Sequence, residues 1–515
     1  MNFNTIDTTT ALPVYTTQQA KDYKDIFYEG ASNEYYQAME SARGVVTAFL
    51  ENNTQPFSGV TPAQLRALFA EVAFDTPLES YAQLFAEVKR LYVDHATAFH
   101  LPHYIAHLNC PVVIPALAAE VLIAAINSSQ DTWDQSAGGT LMEQKLVQWT
   151  CNEIGFGTDA DGVFTAGGSQ SNLMGMLLAR DYYATTYLQH NIRKEGLPAE
   201  ASRFRFFVSE MSHFSLQNTI SLMGLGEKAL IRVGTDAAFR MDATLLEKAI
   251  QQELKNGNIP VGVVATAGTT DFGNIDPLDA IGKLAGKYNM WFHVDAAYGC
   301  GLLLTHKYRH LLQGIEQANS VTTDYHKAFF QPISSSALLV KHHHYLNLIT
   351  HHADYLNPEE NEFAGLNQID KTITQSTRRF DALKLWCTLR MMGKQKLGAY
   401  IDTIIETTAA TADVIAADND FELLCYSDIS ALVFRYHPAA IRAYQVGDAL
   451  NQHIKKEMFQ EGKAIVAGTR VNGEFYLKFT LLNPLTTLEH IHDILSIVKR
   501  HGAAYCQSYL ATLNS

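Results

Sequence analysis

Val261-Gly262-Val263-Val264-Ala265, then Ala267-Gly268-Thr269-Thr270, then a helical pattern over residues 277–288, then Trp291-Phe292-His293-Val294: the fold turns on this stretch. Two short β-rich runs about 30 residues apart, with a helix between them, have the length of a right-handed βαβ unit. The two strands are therefore expected to be parallel and adjacent. Further β-rich runs stand at residues 205–209 and 337–340, alternating with helical segments. In such a sheet, residues just past the strand ends face the ligand crevice.

Outward from this centre the grammar changes. Residues 22–94 carry apolar side chains at three and four spacing (Leu65, Leu68, Phe69, Val72; Leu84, Phe85, Val88, Leu91), the mark of helices. Two more helical stretches lie between Pro111 and Ile154, separated by Ser128, Ser129 and the turn Trp133-Asp134-Gln135-Ser136. Beyond Asp381, helical stretches at 383–392 and 400–416 precede strand-like runs at 431–436 and 474–481 and a last helix over 488–500. The expectation is an α/β protein with a mostly parallel central sheet and helices on both faces. An N-terminal helical arm (1–110) precedes the large α/β domain (111–384), and a smaller C-terminal α+β domain (385–515) follows.

Composition narrows the function classes. The chain of 515 residues is 47% hydrophobic and 18% charged, as in ordinary globular proteins. Its formal net charge of -14 argues against a nucleic acid or an anionic membrane as partner. The apolar run from Pro111 to Ile126 is interrupted by Pro115 and Glu120 and is shorter than the ~20 residues of a membrane span, so it reads as a buried helix. The start, MNFNTIDTTTALPVYTT, lacks a basic segment followed by an apolar core, and a cytoplasmic protein is expected. Six scattered cysteines without a C-x-x-C pair fit reduced thiols and no zinc knuckle.

Three motifs carry chemistry. Thr165-Ala166-Gly167-Gly168-Ser169-Gln170-Ser171-Asn172 leads into a helical run, and glycines at a helix N-terminus let backbone N–H groups approach an anion; alone, it reads equally well as a plain turn. His293-Val294-Asp295-Ala296-Ala297-Tyr298-Gly299 ends a predicted buried strand, where Asp295 needs a cation unless it merely caps a loop. Thr323-Asp324-Tyr325-His326-Lys327-Ala328-Phe329-Phe330 encloses a lysine whose burial would lower its pKa toward that of a nucleophile for an aldehyde; a snorkelling lysine is the bland alternative. A phosphate cradle, a buried aspartate and a buried lysine are the three anchors that pyridoxal 5'-phosphate requires.

These motifs, with Ser209-Glu-Met-Ser-His-Phe-Ser215 and Ser376-Thr-Arg-Arg-Phe-Asp-Ala-Leu-Lys-Leu-Trp386, resemble those of the group II pyridoxal-phosphate amino-acid decarboxylases of fold type I, from about residue 103 to 393. The resemblance implies that Lys327 anchors the cofactor aldehyde and Asp295 pairs with the ring nitrogen. His213 and Ala297 take the two ring faces, Thr266 the ring edge, and Gly168 and Ser169 the phosphate. Without it, His213 would read as a hydrogen-bonded core histidine. Tyr355 resembles the tyrosine of a mobile loop that protonates Cα, often across a homodimer interface, and His326 the histidine beside the lysine that supports orientation.

The chain departs from the family where Asp324-Tyr325 replaces Asn-Pro. A carboxylate would repel a phosphate, so Asp324, counted with the cofactor site, is expected to orient His326 or Lys327 instead. The form DYHKAFFQPISSSA looks like the siderophore-pathway lysine/diaminobutyrate branch, nearest the desferrioxamine-type lysine decarboxylases. That implies a linear diamino acid, with L-lysine giving cadaverine first and ornithine or 2,4-diaminobutyrate next. Asp134, His107 and Asn109 are candidate partners of the distal amine, although Asp134 reads equally as a turn cap. The run His342-His343-His344 with His351-His352 lacks carboxylate or cysteine company, and His103 and His107 lack the glutamate of a zinc helix, so no metal is expected. Competing readings are amine oxidation or transamination on the same lysine and aspartate, or a non-catalytic phosphate-binding regulator.

Overall fold

The computed structural model describes residues 25–354, 356–357 and 368–513. They form two compact units. In the smaller, described residues 25–54 and 60–96, the helices are Ser32–Asn52, Pro62–Phe69 and Tyr81–Leu91. Pro62 opens the second of these where no donor is missed, and Thr61 and Gln64 cap each other reciprocally.

The larger unit, residues 55–59 and 97 onward, is built on two sheets. The first contains β1 (Asp161–Thr165), β2 (Phe204–Ser209), β3 (Leu230–Val233), β4 (Ile259–Thr266), β5 (Trp291–Ala296), β6 (Ser320–Asp324) and β7 (Ser336–Val340), ordered β1-β7-β6-β5-β4-β2-β3. The βαβ expectation holds: β4 and β5 are parallel neighbours, from Gly262 opposite Trp291 to Thr266 opposite Asp295. β6 adds in parallel, whereas β7 runs antiparallel to both β6 and β1. The chain therefore leaves β1, β4, β5 and β6 at the same end of the sheet, and the three motif-bearing ends, those of β1, β5 and β6, meet there. All residues of β4, β5 and β6 but Ile259 are buried, and β4 and β5 are mainly apolar, as central parallel strands require, whereas β6 is mostly polar.

The second sheet is antiparallel, with β8 (Phe421–Leu423), β9 (Ala431–Tyr436), β10 (Ala467–Val471) and β11 (Glu474–Thr480) in the order β10-β11-β9-β8. Its core includes side chains of the helices Gly447–Glu461 and Leu488–Leu513. The last helix extends past the expected residue 500 because an apolar face continues as far as buried Cys506. Between the sheets runs Ala382–Ala417, broken at Gly393, whose φ of +74° suits a residue without Cβ.

One expectation fails in detail. Ile114–Ile126 is a helix, but it buries only Ala116, Ala119 and Ile123, leaving Ile114 and Ile126 each 70% exposed. Its sequence is apolar around most of its circumference, so one packed face cannot cover it all. Among the described residues no helix is long and apolar enough to cross a membrane, and all six cysteines are free thiols.

Candidate active site

The strand ends enclose a cavity of about 490 Å3 lined by Gly168, Ser169, His213, Thr266, Asp295, Ala297, Asp324, His326 and Lys327, with Leu108 and Ile333 among its apolar residues. Nine expected site residues thus line one cavity. His107, Asn109 and Asp134 are not in that lining. Asp134 is exposed, and its carboxylate accepts from the Thr132 hydroxyl as a local turn acceptor, while Asn109 accepts from the Tyr104 hydroxyl at 3.3 Å. Tyr355 lies outside the described residues.

β1 delivers the glycine turn to the N-terminus of the 21-residue helix Gly168–Leu188. The first intrahelical bonds are donated by Gln170 and Ser171 to Gly167 O, which leaves the Gly168 and Ser169 N–H groups upstream of the helix ladder. A Cβ on Gly168 would lie 2.9 Å from both Asp324 carboxylate oxygens and 3.2 Å from Ala297 Cβ, so only glycine fits. The result is an anion cradle with a helix N-terminus behind it.

Asp295 is 5% exposed at the end of β5, and no ion pair reaches it among the described residues. Asn172 Nδ2 donates to Oδ2 at 2.8 Å and Ala297 N–H to Oδ1 at 3.1 Å. A buried carboxylate held this way is costly unless a cation meets it, and a protonated pyridine nitrogen is such a cation. Thr266, 4% exposed on the same wall, has a hydroxyl without a partner. The cradle, the carboxylate, the unpartnered hydroxyl and the lysine together fit pyridoxal 5'-phosphate.

The sequence reading missed what holds Asp295. Asn172 Oδ1 accepts from Thr322 Oγ1 at 2.8 Å and from His293 Nε2 at 3.0 Å, and the Ser320 hydroxyl meets His293 Nδ1 at 2.7 Å while accepting from Trp291 Nε1. His293 is therefore a neutral Nε2–H tautomer, and burial pushes its pKa down to about 4. Helical spacing was the available signal: Asn172 sits four residues after Gly168, on the same helix face. His213 accepts the Ser215 N–H at Nδ1 (3.3 Å), and burial lowers its pKa as well.

Lys327 corrects one expectation. Burial works to lower its pKa, but Asp324 Oδ2 at 2.9 Å, with Asp295 adding, outweighs that effect, and the net direction is upward. Without bound cofactor the lysine is thus an ammonium paired with Asp324. Ser336 Oγ donates to the other Asp324 oxygen at 2.6 Å, and His326 Nε2 lies 3.7 Å from the pair. His326 Nδ1 donates to Ser335 O at 2.9 Å, fixing its ring.

Arg378, in the second half of the chain, braces the wall behind the cradle. It donates to Phe164 O (3.0 Å), Gln130 O (2.8 Å) and Glu143 Oε1 (3.0 Å), while Phe164 N–H donates to Glu143 as well. Arginine and glutamate side chains are 4% and 1% exposed.

Residues 62–437 match the family model described as "Pyridoxal-dependent decarboxylase conserved domain". The chain is similar to an L-2,4-diaminobutyrate decarboxylase of Acinetobacter baumannii (37% identity, covering 90% of this chain and 92% of the relative). It is 39% identical to another of that name from Rhizobium meliloti, over 81% of each chain. Among solved structures, the glutamate decarboxylase domain of a Vibrio parahaemolyticus diaminobutyrate-pyruvate transaminase and L-2,4-diaminobutyrate decarboxylase superposes with a TM-score of 0.86 at 36% identity, covering 95% of this chain and all of that one. A cavity built for pyridoxal 5'-phosphate and a family match over most of the chain converge: the chain belongs to the pyridoxal-dependent decarboxylases and is an amino-acid carboxy-lyase.

Proposed function

We propose that this decarboxylase acts on a short linear diamino acid, L-2,4-diaminobutyrate before L-ornithine and L-lysine. The observation that carries the reading is the identity of 37 and 39% to two proteins named L-2,4-diaminobutyrate decarboxylase. It reverses the order expected from the sequence, where L-lysine stood first. The comparisons lend no support to cadaverine or siderophore assembly as the product and pathway.

Pyridoxal 5'-phosphate supplies, when bound, the electron sink that makes loss of CO2 from Cα feasible. The chain's part follows from the site. With the cofactor bound, Gly168 and Ser169 would hold its phosphate, Lys327 its aldehyde end and Asp295, itself fixed by Asn172, its ring nitrogen, while His213, Ala297 and Thr266 would enclose the ring. Asp324 holds Lys327 as a proton-bearing ammonium whenever its nitrogen is free, and His326 braces that pair. Tyr355 is the assigned proton donor to Cα.

Apart from Asp295 and Asp324, the described lining offers no carboxylate for the distal ammonium. An unpaired ammonium there costs more than apolar contact returns. We therefore assign the enzyme a homodimer, with a second copy covering the exposed apolar face around Ile114, Leu122 and Ile126 and completing the substrate pocket. The substrate test is a side-by-side comparison of kcat/KM for L-2,4-diaminobutyrate, L-ornithine, L-lysine, L-glutamate and the aromatic amino acids. The highest value for diaminobutyrate supports the proposal. Preference for lysine restores the order read from the sequence, and preference for an acidic or aromatic amino acid overturns the diamine assignment.

A further inference from the structure

Away from the cavity, the turn before β1 meets the chain leaving β7. Val340 pairs with Asp161, so residues 159 and 342 are brought level across the ladder, and His343 N–H donates to Asp159 O at 2.8 Å. Asp159 thereby enters the histidine run that had been set aside for want of a carboxylate. Its Oδ2 lies 2.6 Å from His342 Nδ1 and its Oδ1 lies 2.5 Å from His343 Nδ1. His344 closes the group: ligand atoms of Asp159, His342 and His344 all lie within 4.8 Å of one another.

We propose that Asp159, His342 and His344 bind one divalent transition-metal ion of the zinc class. His342 is the extended residue that leads into the 3-10 turn His343–Leu348, and this change of backbone direction goes with His342 and His344 rings 22° from parallel and centroids 5.5 Å apart. Two imidazole nitrogens and one carboxylate oxygen are a borderline donor set, suited to zinc, nickel or copper rather than to calcium or magnesium. His343 is the outer partner that orients the carboxylate through its second oxygen, the usual support of a metal-binding side chain. All these groups face solvent, which leaves a coordination position for water. An ion seated there would staple the start of edge strand β1 to the end of β7, with the phosphate cradle at the far end of the same strand.

The test uses tag-free holoenzyme stripped of metal by a chelator and titrated calorimetrically with Zn2+. The parent should take up one ion per chain and gain thermal stability. The His342→Gln/His344→Gln double variant, and separately Asp159→Asn, should bind roughly tenfold more weakly or worse, whereas His351→Gln should bind as the parent does. Absence of uptake by the parent, or uptake equal in the parent and the double variant, overturns the site.

Discussion

Replacing Gly168 by alanine tests the cradle at its tightest point. The new methyl would sit 2.9 Å from both oxygens of Asp324 and 3.2 Å from Ala297 Cβ, against an ordinary contact of about 3.5–4 Å. Asp324 is ill placed to yield, since Lys327 holds it at 2.9 Å and the Ser336 hydroxyl at 2.6 Å. The helix N-terminus must retreat instead, taking the Gly168 and Ser169 N–H groups away from the phosphate. Overpacking of this kind costs about 1–3 kcal/mol, equivalent to roughly 5- to 150-fold in cofactor dissociation constant. Gly167 is the internal control, because its φ of 169° is ordinary extended backbone and a Cβ there meets nothing within 4 Å. Titration of apoprotein with pyridoxal phosphate, followed by visible absorbance, should therefore show a large loss for Gly168→Ala and a change within about threefold for Gly167→Ala. Equal affinity in Gly168→Ala and the parent, or equal losses in the two variants, would refute the steric argument.

Other outcomes follow from the same geometry. Arg378→Ala should lower stability by about 3–5 kcal/mol, because Glu143 is left buried and unpaired; an unchanged thermal midpoint contradicts this. His293, with its pKa down at about 4, contributes stability that is present above about pH 6.5 and lost as pH falls toward 4, about 3 kcal/mol in all. Asp276, fully buried and raised to about 6 by desolvation, acts oppositely: its contribution is present below about pH 4 and lost as pH rises to 6. Thermal midpoints between pH 4 and 6 should accordingly rise less with pH, or fall, in His293→Gln relative to the parent; identical slopes would refute the assignment. Lys327→Ala and Tyr355→Phe should each be inactive yet folded, and mixing them should restore up to about a quarter of parental activity through hybrid dimers. Verified subunit exchange without recovery would remove Tyr355 from the partner's site.

The alternation of strand and helix around residues 261–294 was legible because both elements obey a simple period. β6 was not: Ser320-Val321-Thr322-Thr323-Asp324 is mostly polar, and its burial is tolerated because Trp291 satisfies Ser320 and Asn172 satisfies Thr322. Periodicity registers polarity but not partners. The cofactor anchors could be read singly, since a buried aspartate or lysine is costly enough to demand a reason. Pairings over long separations could not. Asp159 meets His342 across 183 positions and Arg378 meets Glu143 across 235, and nothing local in the chain announces either. The direction of the Lys327 shift was missed for a different reason: burial was weighed without the countercharge three residues earlier.

The strand order has a consequence for synthesis. β1 is the first strand of the large sheet to be made, yet it lies at the sheet edge and pairs only with β7, the last. At about 5–20 residues per second, the roughly 170 residues between them take on the order of ten to thirty seconds to emerge. Throughout that interval the glycine turn has no sheet to hold it; Lys327 is made only shortly before β7, and the brace from Arg378 only after it. A cradle seated on its completed sheet is therefore not available until about two-thirds of the polypeptide, through the end of β7, has appeared, and a nascent chain that stops before residue 336 carries its first strand unpaired.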